Sequence, residues 1–159
     1  MKFTLIFLVV IGLAAVGFWE YVYVPGEVGP RASDDWNRIR VGDKILNLEV
    51  ARSLIDRQRG LSGREPATFP SDTGMLFVFG KPGLHEFWMK DMKFPIDIIW
   101  LDENLKVIDI KEWAEPASYY TDPPQNFVPQ DLAQYVLETN AGFAESARLK
   151  IGTQAEILK

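Results

Sequence analysis

The hydrophobic pattern is densest in the middle of the chain. There two apolar runs, Phe87-Trp88-Met89 and Ile96-Asp97-Ile98-Ile99-Trp100-Leu101, flank a short charged loop that ends in Pro95. Strand periodicity over 96–101 puts Ile96, Ile98 and Trp100 on one face and Asp97, Ile99 and Leu101 on the other. Both faces are apolar apart from Asp97, so this strand is expected inside its sheet, covered on both sides. A carboxylate in such a place costs several kcal/mol unless the fold brings it a donor. The expected donor is Arg59, whose guanidinium can satisfy both oxygens at once, with Lys90 as the second choice.

Residues 45–50 alternate, with Leu46, Leu48 and Val50 inward and Asn47 and Glu49 outward, as in a half-exposed strand. Ser53 is placed to N-cap a short helix running to about Arg59, and Gly60 to end it. A second all-apolar strand is expected over 74–79. Gly80-Lys81-Pro82-Gly83 reads as a turn returning the chain into 84–89, which predicts a hairpin. Asp102-Glu103-Asn104 predicts another, between 96–101 and 105–110. Over 113–130 the pattern dissolves into Pro116, Pro123, Pro124 and Pro129 interleaved with Trp113, Tyr119, Tyr120 and Phe127. The expectation is a long loop whose aromatics cover one end of the sheet, with a ligand lid as the alternative. Strand character resumes over 135–139, one or two helical turns fit 142–149, and a last strand fits 154–158.

Residues 3–19 are uncharged and almost wholly apolar, preceded by Lys2 and followed by Tyr21 and Tyr23. This is the pattern of an N-terminal export or anchor segment with an interfacial aromatic belt. The expected organisation is therefore a membrane anchor or signal segment over 1–24, a Pro- and Gly-containing linker over 25–40, and one globular domain over 41–159. Lys2 and the amino terminus favour the cytoplasmic side, which leaves the domain extracytoplasmic, or secreted if Ala15-Val16-Gly17 is cleaved.

Composition narrows the chemistry. With 159 residues, 47% hydrophobic and 13% aromatic, the chain has material for one well-packed domain. Its net charge of −5 repels phosphate backbones, so nucleic acid is not an expected partner. The absence of cysteine excludes disulfides, thiolate metal sites and a thiol nucleophile. His85 is the single histidine, too little for a zinc site without relying on carboxylates, and no metal or cofactor is expected. Ser62, in Gly60-Leu61-Ser62-Gly63, has its second Gly one place early for a nucleophile elbow.

Arg59-Gly60-Leu61-Ser62, Gly74-Met75-Leu76-Phe77-Val78-Phe79, Phe87-Trp88-Met89-Lys90, Pro95-Ile96-Asp97-Ile98-Ile99 and Val136-Leu137-Glu138-Thr139-Asn140-Ala141-Gly142 occur in this order from about Ile45 to Leu158. Together they resemble the domain of unknown function 192 family, also catalogued as uncharacterised protein family 0127. The resemblance implies a compact, β-rich α+β domain, often behind a signal or anchor segment, and no established reaction. The expected fold is α+β, with a mainly antiparallel, barrel-like sheet and one or two short helices. This chain departs from the family pattern at Asp91 and Met92, where Asn and Thr are usual after Trp-Met-Lys. If that loop binds a ligand in relatives, this member is expected to bind a different one or none.

Arg59, Trp88, Lys90, Asp91 and Asp97 form the candidate polar cluster, binding or structural. Three readings follow from it. The first is a non-catalytic binding or accessory module, with its pocket at the Asp91 loop and the 113–130 loop and Trp88 as an aromatic platform for a polar envelope ligand or a protein partner. The second is a hydrolase with Asp91 and Asp97 flanking a cleft as paired carboxylates. The third is a purely structural interaction module that packs against another envelope protein, with Arg59 and Asp97 as an ion pair that locks the short helix to the sheet, the commoner role for buried ion pairs. An open pocket separates the first two from the third, and turnover dependent on Asp91 separates the second from the first.

Overall fold

The computed structural model describes residues 35–159, so the expected membrane segment and nearly all of the expected linker lie outside the described residues. Seven strands, β1 (Arg38–Val41), β2 (Lys44–Ala51), β3 (Thr73–Gly83), β4 (Ile96–Leu101), β5 (Val107–Ala114), β6 (Ala133–Asn140) and β7 (Ala155–Leu158), form one sheet. Their order is β5-β4-β6-β3-β2-β1-β7. Every neighbouring pair is antiparallel except β2 and β3. A parallel pair needs a crossover, and the chain makes it through α1 (Leu54–Arg59) and the loop that follows. At the start of β5 the two outer strands of the sheet meet. Val107 N–H donates to Thr153 O at 2.9 Å, Gly152 N–H to Val107 O at 2.7 Å, and Lys106 bridges Gln154. The result is a half-barrel with its edges joined at one end.

β4 lies between β5 and β6 with all six residues buried, as its two apolar faces require. Its alternation divides the core in two. Ile96, Ile98 and Trp100 join Met75, Phe77 and Val136 in one cluster with Leu61 and Phe87, while Ile99 and Leu101 join Leu76, Leu137 and Tyr135 in another with Phe143 and Ala144 of α2 (Phe143–Ser146).

The hairpin expected from Gly80-Lys81-Pro82-Gly83 does not form. β3 runs straight through those residues to Gly83, which pairs with Ala133 after a register shift. Both sides of β3 are already occupied, by β2 and β6, so residues 84–95 have no free edge to pair with. They cross the face of the sheet instead, tied to the 113–130 loop where Phe87 and Phe127 bridge. The second hairpin forms as expected between β4 and β5, with the Asp102 carboxylate accepting from the Asn104 and Lys106 N–H groups at its turn. β1 starts at Arg38, inside the stretch read as linker, because Ile39 and Val41 are core positions.

α1 carries both of its expected caps. Ser53 Oγ accepts from Asp56 N–H at 3.0 Å, and Gly60, at φ 47°, donates its N–H to Asp56 O at 2.8 Å. Replacing Ser53 by Ala removes that acceptor and is expected to lower stability by about 1 kcal/mol, read as a reduced urea midpoint at unchanged slope.

Candidate functional site

Asp97 is sealed in the core and meets neither Arg59 nor Lys90. Its two oxygens accept from backbone N–H groups, Trp113 at 2.9 Å and Ala144 at 2.9 Å. The first belongs to a bulge in β5: Ile96 pairs with Ala114 but Ile98 with Lys111, leaving an extra residue opposite Asp97, and Trp113 turns to φ 48°. The second belongs to the first turn of α2, where N–H groups lack helical partners. A carboxylate with two backbone donors needs no cation, and this is why the expected ion pair is absent. Asp97 is architectural, and it lines none of the described cavities.

Asp91 is exposed at φ 55°, a conformation that Asp and Asn tolerate better than other side chains. Its carbonyl accepts from Gly63 N–H at 2.8 Å, and the neighbouring Lys90 carbonyl accepts from Ser62 Oγ at 2.8 Å. These bonds fasten the 84–95 segment to the residues after α1. Asp91 and Asp97 share no cavity, so the paired-carboxylate arrangement is not formed. Lys90 and Trp88 line an open cavity of about 360 Å³ with Tyr119, Pro124 and Asn126 of the long loop.

Trp88 and Arg59 both line a separate cavity of about 360 Å³ between α1, the end of β3 and the 84–95 segment. Phe77, Phe79, Phe87, Leu61 and Met92 make its walls. The rings are mutually ordered: Phe77 and Phe87 meet edge to face at 4.9 Å, and His85 stacks on Phe79 at 3.5 Å. Met92 contributes a thioether to the wall. Arg57 stiffens one side, donating to Arg52 O at 2.5 Å and Val78 O at 2.9 Å with its guanidinium 5.2 Å from the Phe79 centroid.

Glu138 of β6 also faces this cavity, and the candidate cluster did not include it. It is 5% exposed, and its Oε2 has no hydrogen-bond partner. Across the sheet it lies in register with Met75 on β3 and Ile98 on β4, so its flanking strands offer it only apolar side chains. Burial without a partner pushes its pKa up to about 8, and the group is an uncharged carboxylic acid at neutral pH. The charges farther along the same row are engaged elsewhere. Glu49 pairs with Arg64 at 2.6 Å, and Lys111 Nζ lies 5.4 Å from the Phe127 ring. The signal was present in the sequence. Glu138 interrupts Tyr135-Val136-Leu137 and Thr139 as Asp97 interrupts its own strand, and the same desolvation argument applies.

The arrangement is an apolar, aromatic-walled pocket with a protonated carboxyl deep within it and cations at its mouth. Ligand sites have this form, mostly apolar walls with a few placed polar groups, and a perturbed acid in a cleft is a recognised mark of a functional position.

A sequence model of the family DUF192, described as Uncharacterized ACR, matches residues 37–157. Two solved structures are similar to the chain. A protein of unknown function from Novosphingobium aromaticivorans DSM 12444 is 26% identical, with a TM-score of 0.67 over 75% of this chain and 83% of that one. A protein from Sinorhizobium meliloti 1021, provisionally described as a transcription regulator, is 28% identical, with a TM-score of 0.67 over 76% of this chain and 92% of that one. No curated protein matches.

Proposed function

This chain belongs to the DUF192 family of uncharacterised proteins, and from that premise we propose that it is a non-catalytic binding module whose pocket at Glu138 takes a small, largely apolar ligand. The observation that carries the reading is the buried, unpartnered Glu138 carboxyl facing a cavity of ligand size. Left without a partner, such a group costs about 1–3 kcal/mol. A ligand that hydrogen-bonds to it recovers that cost. The hydrolase reading loses its support with Asp97 sealed away from Asp91. The net charge of −5 gives no support for carrying the regulator description of the Sinorhizobium protein over to this chain.

Residues 1–24 are proposed to tether the domain to a membrane on its extracytoplasmic side. The support is the uncharged run over 3–19; among the described residues no helix is long and apolar enough to cross a membrane. Fractionation of cells producing the full chain, with protease added outside the cytoplasmic membrane, is expected to find it membrane-bound and cleaved. A soluble, protected chain contradicts this placement.

Ligand binding is tested by thermal denaturation against a set of small apolar molecules with anionic, neutral and cationic ends. A ligand at a hundredfold its Kd is expected to add about 2.7 kcal/mol, a rise of roughly 5–11 °C in Tm for a chain of this size. The shift should be lost in Glu138→Leu. A set in which nothing shifts, or shifts the variant equally, removes the binding reading.

A further inference from the structure

The charges at the mouth of the pocket are not balanced. Arg57, Arg59, His85 and Glu86 are the titratable groups that line it besides Glu138. Arg57 is held by backbone carbonyls, and Glu86 accepts from the Asn126 amide at 3.1 Å. Arg59 is exposed, and among the described residues its side chain makes no hydrogen bond or ion pair. A guanidinium presents a planar fork of donors that matches carboxylate or phosphate oxygens. Behind it the walls are aromatic, and such rings favour a flat partner through stacked or edge-to-face contact. Deeper still, Glu138 offers both a donor and an acceptor, with no cation beside it in the sheet.

Resting on the binding reading above, we infer that the ligand is a small aromatic anion. Its acidic group sits at Arg59, its ring lies among Phe77, Phe79 and Phe87, and a neutral hydrogen-bonding group at its far end meets Glu138. An ammonium ligand is disfavoured twice. It would approach past two guanidinium groups, and it would have to strip the proton from a carboxyl that burial keeps neutral.

Three phenols with similar bodies and different ends separate these possibilities: para-hydroxyphenylpropanoate, tyrosol and tyramine. Each is titrated calorimetrically into the full chain held in lipid nanodiscs. The acid is expected to bind at least fivefold more tightly than tyrosol, the equivalent of about one exposed charge pair, and tyramine most weakly. Arg59→Gln should bring the acid to the level of tyrosol, and Glu138→Leu should weaken acid and alcohol together. Tyrosol or tyramine binding as tightly as the acid, or an acid preference that survives Arg59→Gln, overturns the inference and leaves the pocket as a binding site. If none of the three binds, the inference falls, and the thermal screen decides separately whether the binding reading falls with it.

Discussion

Asp97→Ala is expected to destabilise the domain by about 3–5 kcal/mol. The substitution leaves two backbone N–H groups, the part-buried one of Trp113 and the buried one of Ala144, without the carboxylate that satisfies both. Hydrogen bonds to charged groups are worth about 1.5–3 kcal/mol each, and an orphaned buried donor bears the full desolvation cost. The loss is a large share of the roughly 5–15 kcal/mol that holds a domain of this size together. It should appear in urea as a lower midpoint with unchanged slope. Asp97→Asn keeps one acceptor and turns a donor toward the other N–H, so a loss of about 2–3 kcal/mol is expected there. Equal stability of Asp97→Ala and the parent would contradict the role assigned to the carboxylate. The geometry locates the damage: the β5 bulge at Trp113 and the first turn of α2 should lose amide exchange protection before the rest of the sheet.

The second large effect is on the pH dependence of stability. Glu138 holds its proton to about pH 8 in the folded chain, against an ordinary value of 4.5, because burial disfavours its charged form. Between those values the folded state binds a proton that the unfolded state has released, so this group's contribution falls as pH rises. It is fully present below about pH 4.5 and is lost progressively up to pH 8. From pH 5 to pH 8 the parent should lose about 3–4 kcal/mol through Glu138 alone. Glu138→Gln cannot titrate, so the difference between the two curves isolates this carboxyl from Glu86, His85 and the other groups at the pocket. Glu138→Leu should be the more stable protein at pH 8, since an apolar side chain of similar size leaves no buried charge to form. Parallel parent and Glu138→Gln curves would show that the carboxyl is not desolvated as described.

Much of the fold was legible because its elements announce themselves locally. β4 is a strand with two apolar faces and one intruding carboxylate, α1 has Ser53 and Gly60 at its ends, and the β4–β5 turn has Asp102 to hold it. What was not legible depends on partners far away in the chain. Gly80-Lys81-Pro82-Gly83 has the composition of a turn but continues β3, because β6, some fifty residues later, occupies the edge that a hairpin would have used. Asp97 was rightly read as a buried carboxylate in need of donors, yet the donors are main-chain groups, which no side-chain inventory can nominate. Of the candidate cluster, the fold brings Arg59 and Trp88 to one cavity and sends Lys90 to a neighbouring open one. Asp91 goes to a left-handed turn and Asp97 to the core. Glu138 was visible as a charge in an apolar strand. The desolvation argument that singles out Asp97 applies to it equally.

Glu138 is an unpaired, protonated carboxyl, and the proposed ligand reaches it. Carbon-detected NMR of its side-chain carboxyl, titrated with and without saturating para-hydroxyphenylpropanoate, addresses both halves of that statement. The expected result is a midpoint near pH 8 in the free protein that moves when the ligand is present. A carboxyl that titrates in the ordinary range near 4.5 and does not respond to the ligand would contradict it.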